Sequence, residues 1–333
     1  MNVIRVAING FGRIGRLAFR RIITTTDFDI VAINDLGSAS DLAYLAKYDT
    51  THRSFHEDLI KAEGDEIVVN NIKRIKVYNE TDPSKLPWGE LNIDLVLECT
   101  GKFTKYEDAH KHILAGAKKV LISAPSKSDN VKTIVYSVNE NILDGTEEIV
   151  SAASCTTNCL APVAKVINDN IGIECGYMST IHAYTNDQVT LDVAHKKGIN
   201  SRRGRACAAN IVPTSTGAAQ AIGKVIPELN GLLEGLAYRV PVTDGSLVEL
   251  TFIPKRKTSI DEINHLFEEN TTESLKITYD PIVSSDIIGK TYGALVDGML
   301  TSTSGNLIKV TAWYDNEYGY TCQMLRTAKA MFK

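Results

Sequence analysis

The heptapeptide Asn9-Gly10-Phe11-Gly12-Arg13-Ile14-Gly15 follows an apolar strand pattern over residues 3–8 and opens a helical pattern that runs to residue 22. No other stretch limits the fold so strongly. The three glycines of a G-x-G-x-x-G turn serve different ends. Gly10 permits the tight turn, Gly12 lets backbone amides approach a pyrophosphate, and Gly15 lets the helix pack on the strand. The helix N-terminus adds partial positive charge for the same anion. The string alone is a weak signal. Here, however, a second strand pattern over residues 30–33 ends in Asn34-Asp35, twenty residues past Gly15, where a carboxylate can accept both ribose hydroxyls of an adenosine. An acidic side chain there also repels a 2′-phosphate. The expected ligand is NAD rather than NADP.

At 333 residues the chain exceeds the roughly 250–300 at which single cores stop growing, so two domains are expected. In the first half, strand-length apolar runs alternate with helical patterns at residues 39–47 and 106–115, the grammar of an α/β, Rossmann-type, mostly parallel sheet. A hairpin interrupts it, with residues 67–69 and 72–78 flanking the turn Asn70-Asn71. Further strands are expected at 93–97, 119–122 and 133–138. The pattern changes near residues 150–155. Beyond it come a helix over 155–168, a strand over 176–183, a Lys/Arg-rich loop over 187–205 and a helix over 217–226. Strands 236–242 and 247–254 read as a pair, since they alternate polar and apolar as a half-exposed antiparallel sheet does. Ser259 with Glu262 gives a capping-box start to a helix over 261–269. Strands near 293–297 and 307–313 precede a last helix that runs to Lys333. The second half is therefore expected to be an α+β domain with a mostly antiparallel sheet.

Lys plus Arg number 36 against 40 Asp plus Glu, a net charge of -4, so no global field recruits nucleic acid or an acidic membrane. No apolar run reaches the roughly 20 residues that span a bilayer, and the opening pattern lacks a signal-peptide core; a cytoplasmic protein is expected. The six cysteines (Cys99, Cys155, Cys159, Cys175, Cys207 and Cys322) form no CxxC pair, which points to reduced thiols and no metal site. One of them is placed for chemistry. In Ser151-Ala152-Ala153-Ser154-Cys155-Thr156-Thr157-Asn158-Cys159, Ser154 is the expected N-cap. Cys155 then lies in the first helical turn, where the dipole favours a thiolate and lowers the thiol pKa. Cys159, one turn deeper, should be buried, and Pro162 should kink the helix by removing the bond to the Asn158 carbonyl.

His182, at the end of the 176–183 strand, is the candidate general base and thiolate partner. Pro213-Thr214-Ser215-Thr216-Gly217-Ala218 leads into a helix, where hydroxyls and free amides make an anion site. The stretch Ser201-Arg202-Arg203-Gly204-Arg205 and Arg239 can add guanidinium forks.

The strings AINGFGRIGR, ASCTTNCLAP, TIHAYTNDQ, RRGRA, PTSTGAA and WYDNEYGY, spread over residues 7–320, resemble the phosphorylating glyceraldehyde-3-phosphate dehydrogenases of glycolysis. That resemblance implies Cys155 as nucleophile and His182 as its base. It implies that Ser154, Thr156, Thr216 and Gly217 hold inorganic phosphate, while Thr185, Asp187 and Arg239 hold the substrate's own phosphate, with an arginine of the Arg202-Arg203 pair nearby. Arg13, Ile14, Asp35, Ser123 and Asn316 would contact NAD, the last through the nicotinamide carboxamide. It further implies a homotetramer, an NAD-binding domain over 1–154 completed by a C-terminal helix over 317–333, and a catalytic domain over 155–316. Thr81 stands where family members often carry an arginine. A related reading is erythrose-4-phosphate dehydrogenase, with the same thiol chemistry but hydrolytic release; the segments around His182 and Thr214 match the glyceraldehyde type. A cysteine hydrolase would leave the glycine turn and Asp35 without a role, and a nucleic-acid-binding scaffold has only the Arg202–Arg205 cluster to support it.

Overall fold

The alternating patterns of the first half fold into a nine-stranded sheet in this computed structural model, which describes residues 3–195, 198 and 200–332. Lys196, Lys197 and Ile199 of the basic loop, and Lys333 at the expected end of the last helix, lie outside the described residues. In chain order the first elements are β1 (Ile4–Asn9), α1 (Arg13–Ile22), β2 (Phe28–Asn34), α2 (Ala39–Lys47), β3 (Ile60–Glu63), β4 (Glu66–Val69) and β5 (Lys73–Tyr78). They are followed by β6 (Leu95–Glu98), α3 (Tyr106–Leu114), β7 (Lys119–Ile122), β8 (Lys132–Thr133) and β9 (Ile149–Ser151). The strand order is β3-β4-β5-β2-β1-β6-β7-β9-β8, antiparallel through β3, β4 and β5 and parallel elsewhere. Its core holds Ala7, Ala32, Trp88, Val96, Val120 and Ile122.

Two local features show why these residues make these elements. Asn70 and Asn71 have φ of 53° and 57°, and Ile72 N closes the turn on Val69 O at 3.2 Å. Two successive left-handed residues match the twist of the flanking strands, and asparagine tolerates that region. Replacing Asn71 by Ala is expected to cost about 1 kcal/mol and by Gly to cost none, read as the denaturant midpoint of each variant. The strand expected over 133–138 is cut to Lys132–Thr133, because the Asn139 side chain takes the Val135 amide at 2.8 Å and Ser137 adopts φ 66°.

The second half contains α4 (Cys155–Asn170), β10 (Ile173–Ala183), β11 (Val212–Ser215), α5 (Ala218–Val225), β12 (Leu233–Val240), β13 (Ser246–Pro254) and α6 (Ile260–Glu269). It continues through β14 (Leu275–Thr278), β15 (Ala294–Asp297), β16 (Ser302–Ser304), β17 (Leu307–Tyr314) and α7 (Tyr318–Ala330). The strands form an eight-stranded sheet ordered β11-β12-β10-β13-β17-β15-β14, with β16 on β17. Most pairs are antiparallel; β10·β12 and β14·β15 are parallel. β12 and β13, read as a pair in the sequence, are in fact separated by β10, since alternation reports the buried face and not the neighbouring strand. Ser259 caps α6 by accepting from Glu262 N at 3.1 Å, while the Glu262 carboxylate turns to Arg256 and Thr258. α4 stays helical through Pro162 and packs on β13, β15 and β17.

Contacts divide the chain into a unit with the first sheet and the residues from Met324 onward, and a unit comprising Ser154–Gln323 with Val135–Asn139. Among the described residues no helix is long and apolar enough to cross a membrane.

Candidate active site

In the first unit β1 is flanked by β2 and β6, so strand order reverses there, and Asn9 is in register with Asn34 on one side and Glu98 on the other. Open α/β sheets bind ligands outside the strand C-termini at such a point. Gly10 has φ 92°, and a Cβ on it would lie 2.8 Å from Thr100 N; a Cβ on Gly15 would lie 2.1 Å from Gly10 O. Gly12 caps α1 without a side-chain bond, and a Cβ there would meet nothing within 4 Å. It borders a cleft of about 290 Å³ with Gly10, Asn34, Asp35, Glu80 and Thr81. A side chain at position 12 would fill that cradle over the helix amides, which fits a pyrophosphate. The Asp35 carboxylate is fixed by Phe11 N at 2.7 Å and Gly37 N at 3.0 Å. These residues suit the adenosine half of NAD. Gly15→Ala is accordingly expected to displace the glycine turn and to weaken NAD binding at least tenfold, by about 1.4 kcal/mol, measured by calorimetry; an unchanged affinity would contradict the packing role.

Other residues assigned to NAD lie as follows. Arg13 turns its guanidinium to Asp49; against the opposing effect of burial, that pair and the amides of His52 and Thr51 hold Asp49 well below the usual carboxylate range. Ile14 is half-buried beside it in α1. Ser123, just past β7, donates its amide to Glu98 O at 3.0 Å. In the second unit Asn316 is buried and its Oδ1 accepts from Ser246 Oγ at 2.6 Å.

Ser154 caps α4 by accepting from Thr157 N at 3.1 Å, a contact worth about 1 kcal/mol. The preceding Ala153 is held at φ 58°, a left-handed value that costs a residue with a Cβ and that clusters at functional sites. Cys155 is thereby the first helical residue. Its Sγ lies 3.5 Å from His182 Nε2, at the end of β10. His182 Nδ1 lies 2.6 Å from Ala183 O, and since a carbonyl only accepts, Nδ1 carries the proton and the Nε2 lone pair faces the sulfur. Tyr314, part of the WYDNEYGY string but given no role from the sequence, bonds Thr156 Oγ1 at 3.0 Å and Thr180 Oγ1 at 2.8 Å and sets its ring edge-on to His182. It ties the thiol's helix to the imidazole's strand.

Burial pushes the Cys155 thiol up, although Arg239 and hydrogen bonds with Thr156 pull it down. The lowered pKa expected from the helix end is thus outweighed for the thiol taken alone. Burial first, and Arg239 second, lower His182 from its ordinary 6.5 to about 3. Both shifts express the cost of an isolated charge in a dry pocket. Passing the proton from Sγ to Nε2 makes the two charges together, so the pair ionises as a unit. Cys159, one turn deeper, is buried, and its thiol is raised by burial.

The parallel register of β10 and β12 sets His182 beside Arg239. Arg239 Nη1 donates to Ala183 O at 3.1 Å and to Thr185 Oγ1 at 2.9 Å, while its Nε is buried with no hydrogen-bond partner among the described residues. Asp187 accepts from Thr185 and pairs with Arg203, whose Nε also donates to Thr214 Oγ1 at 3.0 Å. Arg203 is therefore the member of the arginine pair that joins the cluster; Arg202 is exposed. Two guanidiniums against one carboxylate leave the group net positive and suited to an anion. Thr216 Oγ1 accepts from Ala218 N at 3.2 Å, and Gly217 caps α5 without a side-chain bond, which leaves the first-turn amides after Ala218 uncapped and suited to a ligand. α5 packs against α4.

A dinucleotide fold joined to a thiol with its own base is the equipment of a dehydrogenase that oxidises a carbonyl through a covalent adduct. Residues 4–106 match the family model described as glyceraldehyde 3-phosphate dehydrogenase, NAD binding domain, and residues 154–316 match the C-terminal domain of the same family. Over 327 residues, 97% of each chain, the sequence is 55% identical to the glyceraldehyde-3-phosphate dehydrogenase of Clostridium acetobutylicum. It is 55% identical to that of Clostridium pasteurianum over 99% of this chain and 98% of the relative, and 52% identical to that of Streptococcus pyogenes over 99% of each. The chain belongs to the glyceraldehyde-3-phosphate dehydrogenase family, and its cofactor is NAD.

Proposed function

We propose that the chain converts D-glyceraldehyde 3-phosphate to 1,3-bisphosphoglycerate, using NAD and inorganic phosphate. The observation that carries this reading is the 3.5 Å approach of Cys155 Sγ to an Nε2 whose lone pair is free to take a proton. Sγ adds to the aldehyde carbon and the thiol proton ends on the former carbonyl oxygen, giving a thiohemiacetal. His182 Nε2 then accepts that hydroxyl proton as the carbonyl reforms. The hydride lost from the same carbon would go to the oxidised nicotinamide that bound NAD supplies. The resulting thioester keeps enough of the oxidation free energy for inorganic phosphate to attack it, forming the acyl phosphate and releasing Sγ. The Cys155 amide and protonated His182 serve the developing oxyanion.

Two anions must be held at once. Arg239, Thr185 and Asp187, with Arg203, suit the substrate's phosphate, supported by the orphaned Arg239 Nε. Ser154, Thr156, Thr216 and Gly217, at the starts of α4 and α5, are assigned to inorganic phosphate. Gly10, Gly12, Arg13, Ile14, Gly15, Asp35 and Ser123 are assigned to NAD, and Asn316 to its carboxamide. The NAD-binding domain is taken as 1–154 with 317–333, and the catalytic domain as 155–316. Leu191, Val193 and Ile211 are 74%, 57% and 68% exposed, apolar area that supports burial in a homotetramer. A cytoplasmic enzyme fits this chemistry.

A steady-state assay tests the reading: beyond the first equivalent per active site, NADH should form from glyceraldehyde 3-phosphate only when phosphate is present, and phosphate-independent turnover would defeat it. Asp35→Gly is expected to lower the NAD over NADP ratio of kcat/KM, since the carboxylate both accepts ribose hydroxyls and repels a 2′-phosphate. An unchanged ratio would place the discrimination elsewhere.

A further inference from the structure

Behind the cofactor cleft lies a fully buried polar chain that the chemistry above does not use. Glu98 ends β6 and is 1% exposed; His112 and Asn9 are 0% exposed. One carboxylate oxygen of Glu98, Oε2, accepts from Asn9 Nδ2 at 2.5 Å and lies 3.2 Å from His112 Nε2. The other, Oε1, accepts from Thr100 N at 2.8 Å and from the Thr100 hydroxyl. His112 Nδ1 lies 3.0 Å from Trp88 Nε1, and an indole only donates. Nδ1 is thus an acceptor, Nε2 carries the proton, and that proton points at Glu98. Past Asn9 the chain continues: Asn9 Oδ1 accepts from Asn34 Nδ2 at 2.7 Å, and Asn34 is clamped to the Glu80 backbone by two bonds of 2.9 Å.

A carboxylate sunk in a sheet is costly unless every lone pair is met, and here every donor that meets it except His112 comes from the rim of the cleft. Asn9, Asn34, Glu80 and Thr100 all line it. Asn9 immediately precedes the glycine turn, Thr100 is the group on which Gly10 packs, and Asn34 immediately precedes Asp35. We infer that Glu98 is a positioning residue for the adenosine half of NAD: held by His112 and Trp88 from behind, it fixes through Asn9, Thr100 and Asn34 the spacing between the glycine turn and Asp35. The inference rests on NAD as cofactor and on no step of the Cys155 chemistry.

Glu98→Gln is nearly isosteric, but its amide must face either Asn9 Nδ2 and His112 Nε2 or Thr100 N, donor against donor. The expected result is a rise of about tenfold in Kd for both NAD and ADP-ribose by calorimetry. KM for NAD should rise alongside, with kcat at saturating NAD within about twofold of the parent and KM for aldehyde and phosphate unmoved. His112→Gln, which restores a donor to Glu98 and an acceptor for Trp88, should keep the parent's affinity, whereas His112→Leu should reproduce the loss from a position behind the cleft. If Glu98→Gln does not fold, the two His112 variants make the same comparison. ADP-ribose affinity unchanged in Glu98→Gln, or equal losses in His112→Gln and His112→Leu, would overturn the inference. ADP-ribose carries no nicotinamide and its binding needs no turnover, so this outcome is independent of the reaction proposed above.

Discussion

Cys155→Ser is expected to bind NAD as the parent does and to lose turnover by about 10⁴-fold or more. Gly12 and Asp35, which suit the adenosine half of NAD, belong to the first unit, and Cys155 is assigned no contact with the cofactor, so cofactor affinity has no reason to change. The chemistry does. A hydroxyl is far harder to ionise than a thiol already raised by burial, and an oxygen ester retains less of the oxidation free energy for attack by phosphate. Calorimetry with NAD and a steady-state assay on one preparation separate the two effects. Turnover near that of the parent would remove Cys155 from the mechanism.

His182→Asn is expected to slow acylation by about 10²–10⁴-fold. It should also move the pH profile of thiol alkylation upward, because the thiol then titrates without the neighbour that shares its proton. The acid limb gives a second readout with a definite sign. His182 is lowered from 6.5 to about 3 in the folded chain. Between those values the unfolded chain binds the extra proton and the folded chain does not, so stability falls as pH drops through that window and is unaffected by this group above it. Denaturant midpoints of the parent should therefore decline from about pH 6.5 towards pH 3 more steeply than those of His182→Asn. Parallel declines would show that the imidazole is not buried in its neutral form.

The features legible in the sequence are those set within a few residues. The separate demands on Gly10, Gly12 and Gly15 follow from one turn, and the structure has a positive φ at the first, open space at the second and a contact too close for a Cβ at the third. The Asn70-Asn71 turn and the Ser154 cap were readable for the same reason. What was not legible depends on partners far along the chain. Tyr314 meets Thr156 and Thr180 only because β17 and β10 flank β13 in the sheet. The insertion of β10 between β12 and β13 leaves no trace in either strand's alternation, yet it sets His182 beside Arg239. The choice of Arg203 over Arg202 depends on Asp187 and Thr214. The thiol's shift is decided by burial, which a helix-end argument omits.

The acyl carrier itself gives the sharpest test. Enzyme mixed with NAD and glyceraldehyde 3-phosphate without phosphate, quenched in acid and digested, should yield one 3-phosphoglyceryl thioester, on the peptide that contains Cys155, in step with one NADH per active site, and added phosphate should discharge it. A burst of NADH with no adduct on Cys155, or with the acyl group on another of the chain's cysteines, would contradict the mechanism at its centre.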